Sequence, residues 1–279
     1  MSTQLRLHPW NVDFAWSDIP SPGRLLGEGE VDQFNRDGYL VLQSVLPLDL
    51  VDRVRAITDG EEARTVRQLA ESGGRAGISE EGAITFGAHL VAGAPVLREL
   101  AHYDPLVELA LDLIGPEVDL YWDQLVYKKP EKPRRFPWHQ DNGYSFIVPQ
   151  HYLTCWIPLV EATPDNGCPH LVPGIHRLGT LVHEYVEPLG WQCFDRAPGD
   201  NEVLATASPG DVVVFSSLTP HMTGPNVSDV VRKVYILQYA SAGSVVLAGD
   251  PNSGPPTGSV PCENPAYQFP VARGGRPVA

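Results

Sequence analysis

Short β-branched and aromatic runs, cut apart by proline and glycine, are what most limits the folds open to this chain. Val118 to Lys128, Tyr152 to Val160, Asp211 to Phe215 and Val230 to Tyr239 read as strands. Pro-Gly pairs at 173–174, 198–199 and 209–210 turn the chain around them. Glycine (26) and proline (27) stand well above their usual combined share of roughly 12%, which disfavours a helical bundle. Helical periodicity is confined to the first part. Gly27 to Gly38 carries Val31 and Phe34 on one face, and Tyr39 to Leu42 follows as a buried strand. Pro47 to Thr58 repeats Leu50, Val51, Val54 and Ile57 at helical steps. Residues 59–86 are polar and read as a loop. Asp104 and Pro105 open another helix, with Asp104 as its N-cap, and Gly115-Pro116 ends it. Helices followed by short strands predict a mainly β fold, a β-sandwich or jelly roll buttressed by N-terminal α-helices. One domain over 1–279 is expected. It comprises an irregular lead-in (1–27), the buttressed jelly roll (28–240) and a Pro/Gly/Ser-rich tail (241–279) without a sheet pattern.

Composition narrows the function. With 43% hydrophobic residues a sizeable core is possible, and a formal net charge of -14 argues against nucleic-acid binding. No apolar run approaches the roughly 18 residues of a membrane span. Met1 to Trp16 lacks a basic patch followed by an apolar stretch, so no secretory leader is expected. Cys155, Cys168, Cys193 and Cys262 share no Cys-x-x-Cys spacing and read as reduced thiols in a cytoplasmic protein. The oligomeric state is not legible.

The chemistry concentrates in Trp138-His139-Gln140-Asp141-Asn142-Gly143-Tyr144. Residues two apart on an extended strand share a face, so His139 and Asp141 can reach one metal at a strand end. An imidazole and a carboxylate are two thirds of the facial triad that binds non-haem Fe(II). The second His-x-Asp pair, at 102 and 104, is assigned to helix capping instead. His221 follows the buried strand from 211 and is the candidate second imidazole, expected in the loop beyond it; a satisfied polar histidine is the alternative. Arg232 lies eleven residues further on, sharing a strand face with Val234, Ile236 and Gln238. An arginine flanked by apolar residues on both faces needs an anion, either a bidentate carboxylate ligand or an internal ion pair. The run from Lys128 to Arg135 is a positive island that either steers an anionic substrate or forms a solvated loop.

These residues resemble the phytanoyl-CoA dioxygenase family of Fe(II)/2-oxoglutarate oxygenases, and the resemblance implies a double-stranded β-helix (cupin-like jelly roll) core buttressed by the N-terminal α-helices. Phe34-x-x-Asp37-Gly38-Tyr39 is similar to the family's opening helix and strand. Asp165-Asn166-Gly167-Cys168 with Val172-Pro173-Gly174-Ile175-His176 resembles its Asn-Gly and Pro-Gly-Ser-His segments, with Ile175 in place of the usual serine. The resemblance implies that His139, Asp141 and His221 bind iron, and that Arg232 with Thr223 clamps the distal carboxylate of 2-oxoglutarate. Thr154 and Trp156 would line the cosubstrate pocket, and Gln124 and Lys128 would contact cosubstrate or substrate, unless they form a solvated strand edge. Tyr144 would line the substrate mouth or serve as a core aromatic. The implied reaction consumes O2 and 2-oxoglutarate, releases succinate and CO2, and hydroxylates a small molecule. Asp141 distinguishes the chain from related halogenases, which lack that carboxylate. Two other readings stay open on the residues alone: a non-catalytic cupin-like binding or sensor protein, and a zinc or manganese hydrolase or isomerase on the same fold.

Overall fold

The computed structural model describes residues 5–187, 189–199 and 201–278, and in it two antiparallel sheets enclose an apolar layer. The larger sheet runs in the order Tyr39–Leu42, Val212–Ser216, Leu153–Pro158, Arg232–Ser241 and Val118–Lys128, continuing through Ile84–Ala88, Ser79–Glu80 and Arg75–Ala76. The smaller sheet is Val203–Leu204, Pro169–Leu171, His221–Thr223 and Phe136–His139. This is the expected double-stranded β-helix, and the strand predicted over 118–128 is found with those bounds.

Period-two alternation decides what each strand offers to each side. On Arg232–Ser241, Tyr235, Leu237 and Tyr239 enter the core shared with the helices, whereas Val234 and Ile236 meet Leu171 of the smaller sheet. On Leu153–Pro158, Cys155 and Ile157 point toward the helices and Trp156 toward the interior of the sandwich. Four helices cover the outer face: α1 (Glu28–Asp37), α2 (Leu48–Glu71), α3 (Pro95–Ala101) and α4 (Asp104–Leu113). From α2, Leu50, Val51 and Val54 are buried there, each contributing roughly 1.5–3 kcal/mol.

The structure departs from the sequence reading in three segments. Helix α2 continues to Glu71 instead of ending at Thr58, and residues 75–88 form paired strands on Val118–Lys128 where a loop was expected. The added turns are rich in Glu, Ala, Arg and Gln, good helix formers that expose one polar face and so mask the amphipathic period. Asp104 is the first residue of α4 rather than its cap; Tyr103 holds the N-cap position, without a side-chain capping bond. The tail also carries strands: Val245–Ala248 pairs with Gly258–Pro261 and Ile147–Val148, and Phe269–Arg273 joins the end of Val118–Lys128.

The blocks around Gly38 and His176 meet in one joint. Gly38 closes α1 at φ +79°, and a Cβ there would stand 2.5 Å from His176 Nδ1 and 2.6 Å from Thr219 Oγ1, so only glycine fits. Gly174 N–H donates to Asp37 O (3.1 Å), and the His176 ring lies 3.2 Å from Asn35 O. His176 thus has a structural role at this joint. His151 is similarly held between Ser216 Oγ and Leu113 O, both at 2.9 Å. Burial pushes both imidazoles down to about 4 from 6.5, so the folded state holds them neutral and the unfolded state protonates first. Their stabilising contribution is therefore complete above pH 6.5 and falls as the pH drops toward 4, by ~1.4 kcal/mol per pH unit for each group. Urea unfolding is expected to show this decline between pH 6.5 and 4.5, with a shallower slope in His151→Gln; a pH-independent midpoint would contradict it.

Candidate active site

Backbone register brings the first two side chains together. His221 is the first residue of strand His221–Thr223, not a loop residue as expected, and is the cross-strand partner of His139, with ring centroids 4.1 Å apart. Asp141 enters from the 3-10 turn Asp141–Gly143 directly after Phe136–His139. Its Oδ1 lies 3.7 Å from His139 Nε2 and 3.6 Å from His221 Nε2, and the three donor atoms fall within 4.8 Å of one another. Donors about 2.1 Å from one ion stand roughly 3 Å apart, so a small inward movement closes this set on a metal. Among the described residues it is the one cluster of three or more His, Cys, Asp or Glu side chains with that spacing.

The imidazoles are prepared as ligands. His139 Nδ1 lies 2.8 Å from Pro137 O and His221 Nδ1 lies 3.0 Å from Thr219 O, so each Nδ1 donates and each Nε2 keeps its lone pair for the shared centre. Burial holds both neutral, His139 down to about 3 and His221 to about 4. Burial pushes the Asp141 carboxyl up, countered by His139 and by hydrogen bonds from Thr154 and Gln238. Thr154 Oγ1 donates to Asp141 Oδ2 at 2.6 Å, and Gln238 Nε2 donates to Thr154 Oγ1 at 3.1 Å.

The turn itself is fixed by buried amides. Gln140 donates to Leu218 O (2.6 Å) and Gly179 O (3.0 Å) and accepts from Leu181 N–H (2.6 Å). Asn142 donates to Thr180 Oγ1 (2.7 Å) and accepts from Ile147 N–H (3.0 Å). His183 accepts from Gln140 N–H (2.9 Å) and has no place among the metal donors.

Arg232 lies in the interior at 1% exposure, yet donates only to Val126 O (3.2 Å); its Nε has no partner and no carboxylate reaches it among the described residues. Burial lowers it to about 9. Its guanidinium sits 5.4 Å from the Trp156 ring. A narrow pocket connects it to the triad, with Thr154, Trp156, Thr223, Gln124 and Gln238 also on its walls. Lys128 differs from the expected contact role: its ammonium is capped by the carbonyls of Thr223 and Gly224, and it is absent from that wall. Burial and the adjacent guanidinium push it well below the usual lysine range. Gln124 accepts from Trp122 Nε1 (2.8 Å) and also faces a second, larger cavity. Tyr144 lines that cavity at 40% exposure, its ring edge-to-face with His139 at 5.3 Å.

Three side chains of the basic run are paired, Lys129 with Glu62 (2.5 Å), Arg134 with Glu80 (2.9 Å) and Arg135 with Asp195 (2.9 Å), while Lys132 makes no ion pair among the described residues. Gln238 received no role from the sequence, although its strand spacing from Arg232 was the available signal. Ile78 and Phe86 gave no signal, because they lie in the segment read as a loop. Both line the large cavity and also an outer groove against α2, so the wall between the two is one side chain thick there.

A jelly roll that gathers two imidazoles and one carboxylate beside a buried, carboxylate-free arginine belongs to the non-haem iron oxygenases that use 2-oxoglutarate. The family model for phytanoyl-CoA dioxygenase (PhyH) matches residues 34–234, and the chain belongs to that family. It is accordingly an iron(II)- and 2-oxoglutarate-dependent oxygenase, which removes support from the sensor and hydrolase or isomerase readings. The chain is similar to methylphosphonate hydroxylase of Gimesia maris, 28% identical over 77% of this chain and 80% of that protein. It also resembles ectoine dioxygenase of Sphingopyxis alaskensis, 28% identical over 74% of this chain and 73% of that one. The fold matches EvdO2 of Micromonospora carbonacea complexed with 2-oxoglutarate (TM-score 0.66, 23% identity, 87% and 99% covered). It also matches EctD of S. alaskensis with 2-oxoglutarate and 5-hydroxyectoine (TM-score 0.64, 24% identity, 99% and 92% covered).

A buried guanidinium without a counter-charge destabilises the ligand-free fold. Arg232→Met is expected to raise ligand-free stability in urea by on the order of 1 kcal/mol or more. A clear loss of stability would mean that the cation is already compensated.

Proposed function

We propose that the chain hydroxylates a small molecule, with His139, Asp141 and His221 holding iron(II) and Arg232 with Thr223 binding the distal carboxylate of 2-oxoglutarate. The observation carrying this reading is the adjacency of two complementary groups: three converging metal donors, and a buried guanidinium that no carboxylate among the described residues meets. One ligand spanning them meets both needs. When bound, iron(II) and 2-oxoglutarate supply O2 activation coupled to decarboxylation of the keto-acid to succinate and CO2.

The chain's own groups then bind, orient and exclude water. Thr154, steadied by Gln238, directs the free Asp141 oxygen toward the metal. Trp156 stacks near the guanidinium and keeps its pocket dry. Lys128 acts from behind, holding the chain at Thr223 through two carbonyls. Gln124 stands where the cosubstrate pocket meets the larger cavity, and Tyr144 forms part of the substrate mouth. Methylphosphonate hydroxylase and ectoine dioxygenase bear names of small-molecule chemistry, and the proposal extends that class to this chain. The four cysteines are free and no helix among the described residues is long and apolar enough to cross a membrane, which supports a cytoplasmic setting for one catalytic domain.

Anaerobic titration of the protein with Fe(II) and 2-oxoglutarate tests the reading: the weak visible charge-transfer band of the chelate is expected, and its absence removes it. Asp141→Ala is expected to abolish substrate-dependent succinate formation; normal turnover in that variant would take Asp141 off the metal. Arg232→Ala is expected to weaken 2-oxoglutarate binding by at least ~10-fold, the scale of a lost charge-assisted pair, while Fe(II) binding persists. An unchanged cosubstrate affinity would remove the clamp.

A further inference from the structure

The larger cavity, about 350 Å³, has His139 and Asp141 in its wall and adjoins the narrower pocket lined by Arg232. Its size lies at the lower end of the roughly 300–1,000 Å³ range of small-molecule sites. The walls are apolar and aromatic, with Phe86, Tyr121, Trp122, Phe136, Tyr144 and Tyr152 among them. No lysine or arginine lines it, and Asp141 is its one acidic group. We infer that the substrate is an uncharged molecule with an apolar, ring-containing skeleton and hydroxyl or carbonyl oxygens, which deepens the hydroxylase reading and rests on it.

Charge and hydrogen bonding carry the inference. An anion drawn into this cavity loses its hydration and meets no cation in exchange: Lys129, Arg134 and Arg135 are paired with Glu62, Glu80 and Asp195, and Lys132 is not among the lining residues. A protein of net charge -14 offers no long-range attraction to an anion either. A carboxylate, a phosphonate or a coenzyme A thioester is therefore disfavoured. A cation would meet aromatic faces that attract it, but its one available counter-charge is Asp141, already committed to the metal site. A neutral skeleton incurs neither cost. Its oxygens find partners: Gln124 uses its carbonyl on Trp122 Nε1–H and keeps its amide N–H groups to donate. Tyr121, Tyr152 and Ser145, each carrying a hydroxyl that can donate or accept, also line the cavity. Tyr121 and Tyr152 pack edge to face on one another at 5.3 Å, which makes them a firm aromatic part of the wall.

The test uses the full chain loaded anaerobically with Fe(II) and 2-oxoglutarate, so that the charge-transfer band first reports on the hydroxylase reading itself. Three probes of one skeleton are then titrated against the band: 2-naphthol, 2-naphthoate and 2-naphthylmethyl-trimethylammonium. The neutral probe is expected to perturb the band with at least tenfold higher affinity than either charged one. Equal or tighter binding of the anion or the cation, or no response to 2-naphthol at millimolar concentration while the band is present, overturns the inference. Ser145→Lys places a cation on the half-buried rim and is expected to shift the preference toward 2-naphthoate by at least tenfold. An unshifted preference in a variant that still forms the band would show that the probes bind elsewhere. Failure of the band in the wild-type protein sinks the underlying hydroxylase reading instead.

Discussion

Cross-strand pairing of His139 with His221 is the constraint from which the rest of the site follows. In an antiparallel sheet a register change of one residue sends a side chain to the opposite face, so both imidazoles point inward only in this alignment. The alignment is reinforced outside the sheet. Gln140 and Asn142, buried and bonded on both amide ends, lock the turn that delivers Asp141 to the same point. The donors are thus arranged by backbone hydrogen bonds before any ligand arrives, as a preorganised centre requires.

The interior charges complement that arrangement. Lys128 and Arg232 are register partners on adjacent strands, both buried, with no carboxylate beside them among the described residues. Lys128 is satisfied by backbone carbonyls, whereas the guanidinium is left with a single hydrogen bond. A buried guanidinium with so few partners is costly to the fold, and the Trp156 ring 5.4 Å away offsets that cost only in part.

Much of this was legible in the sequence because strand periodicity is local and strong. Tyr39–Leu42 and Val118–Lys128 were found with their bounds, and the facing of Arg232, Val234 and Ile236 against Tyr235 and Leu237 followed from alternation alone. The convergence of positions 139, 141 and 221 was suggested by residue type and by family likeness, since no local rule links a turn to a strand eighty residues away. What escaped was set by tertiary context. The end of α2 is polar because it is solvated, the Ile78 and Phe86 segment depends on the neighbouring sheet edge, and the tail strands are recruited by Ile147–Val148 and by Val118 and Leu120. Lys128 was misplaced for a related reason: its spacing gave the correct face but not the carbonyls that turn its ammonium aside.

The hairpin carrying Ile78 and Phe86 forms a partition between the inner cavity and the groove beside α2. It belongs to the outer strands of the large sheet, elements other than those carrying the paired histidines and the arginine, although both side chains also reach the pocket beside them. Remodelling this partition therefore merges two volumes into a longer channel without disturbing a single metal donor. Selection can in this way retune molecular size and shape at the periphery while the oxidising apparatus stays as it is.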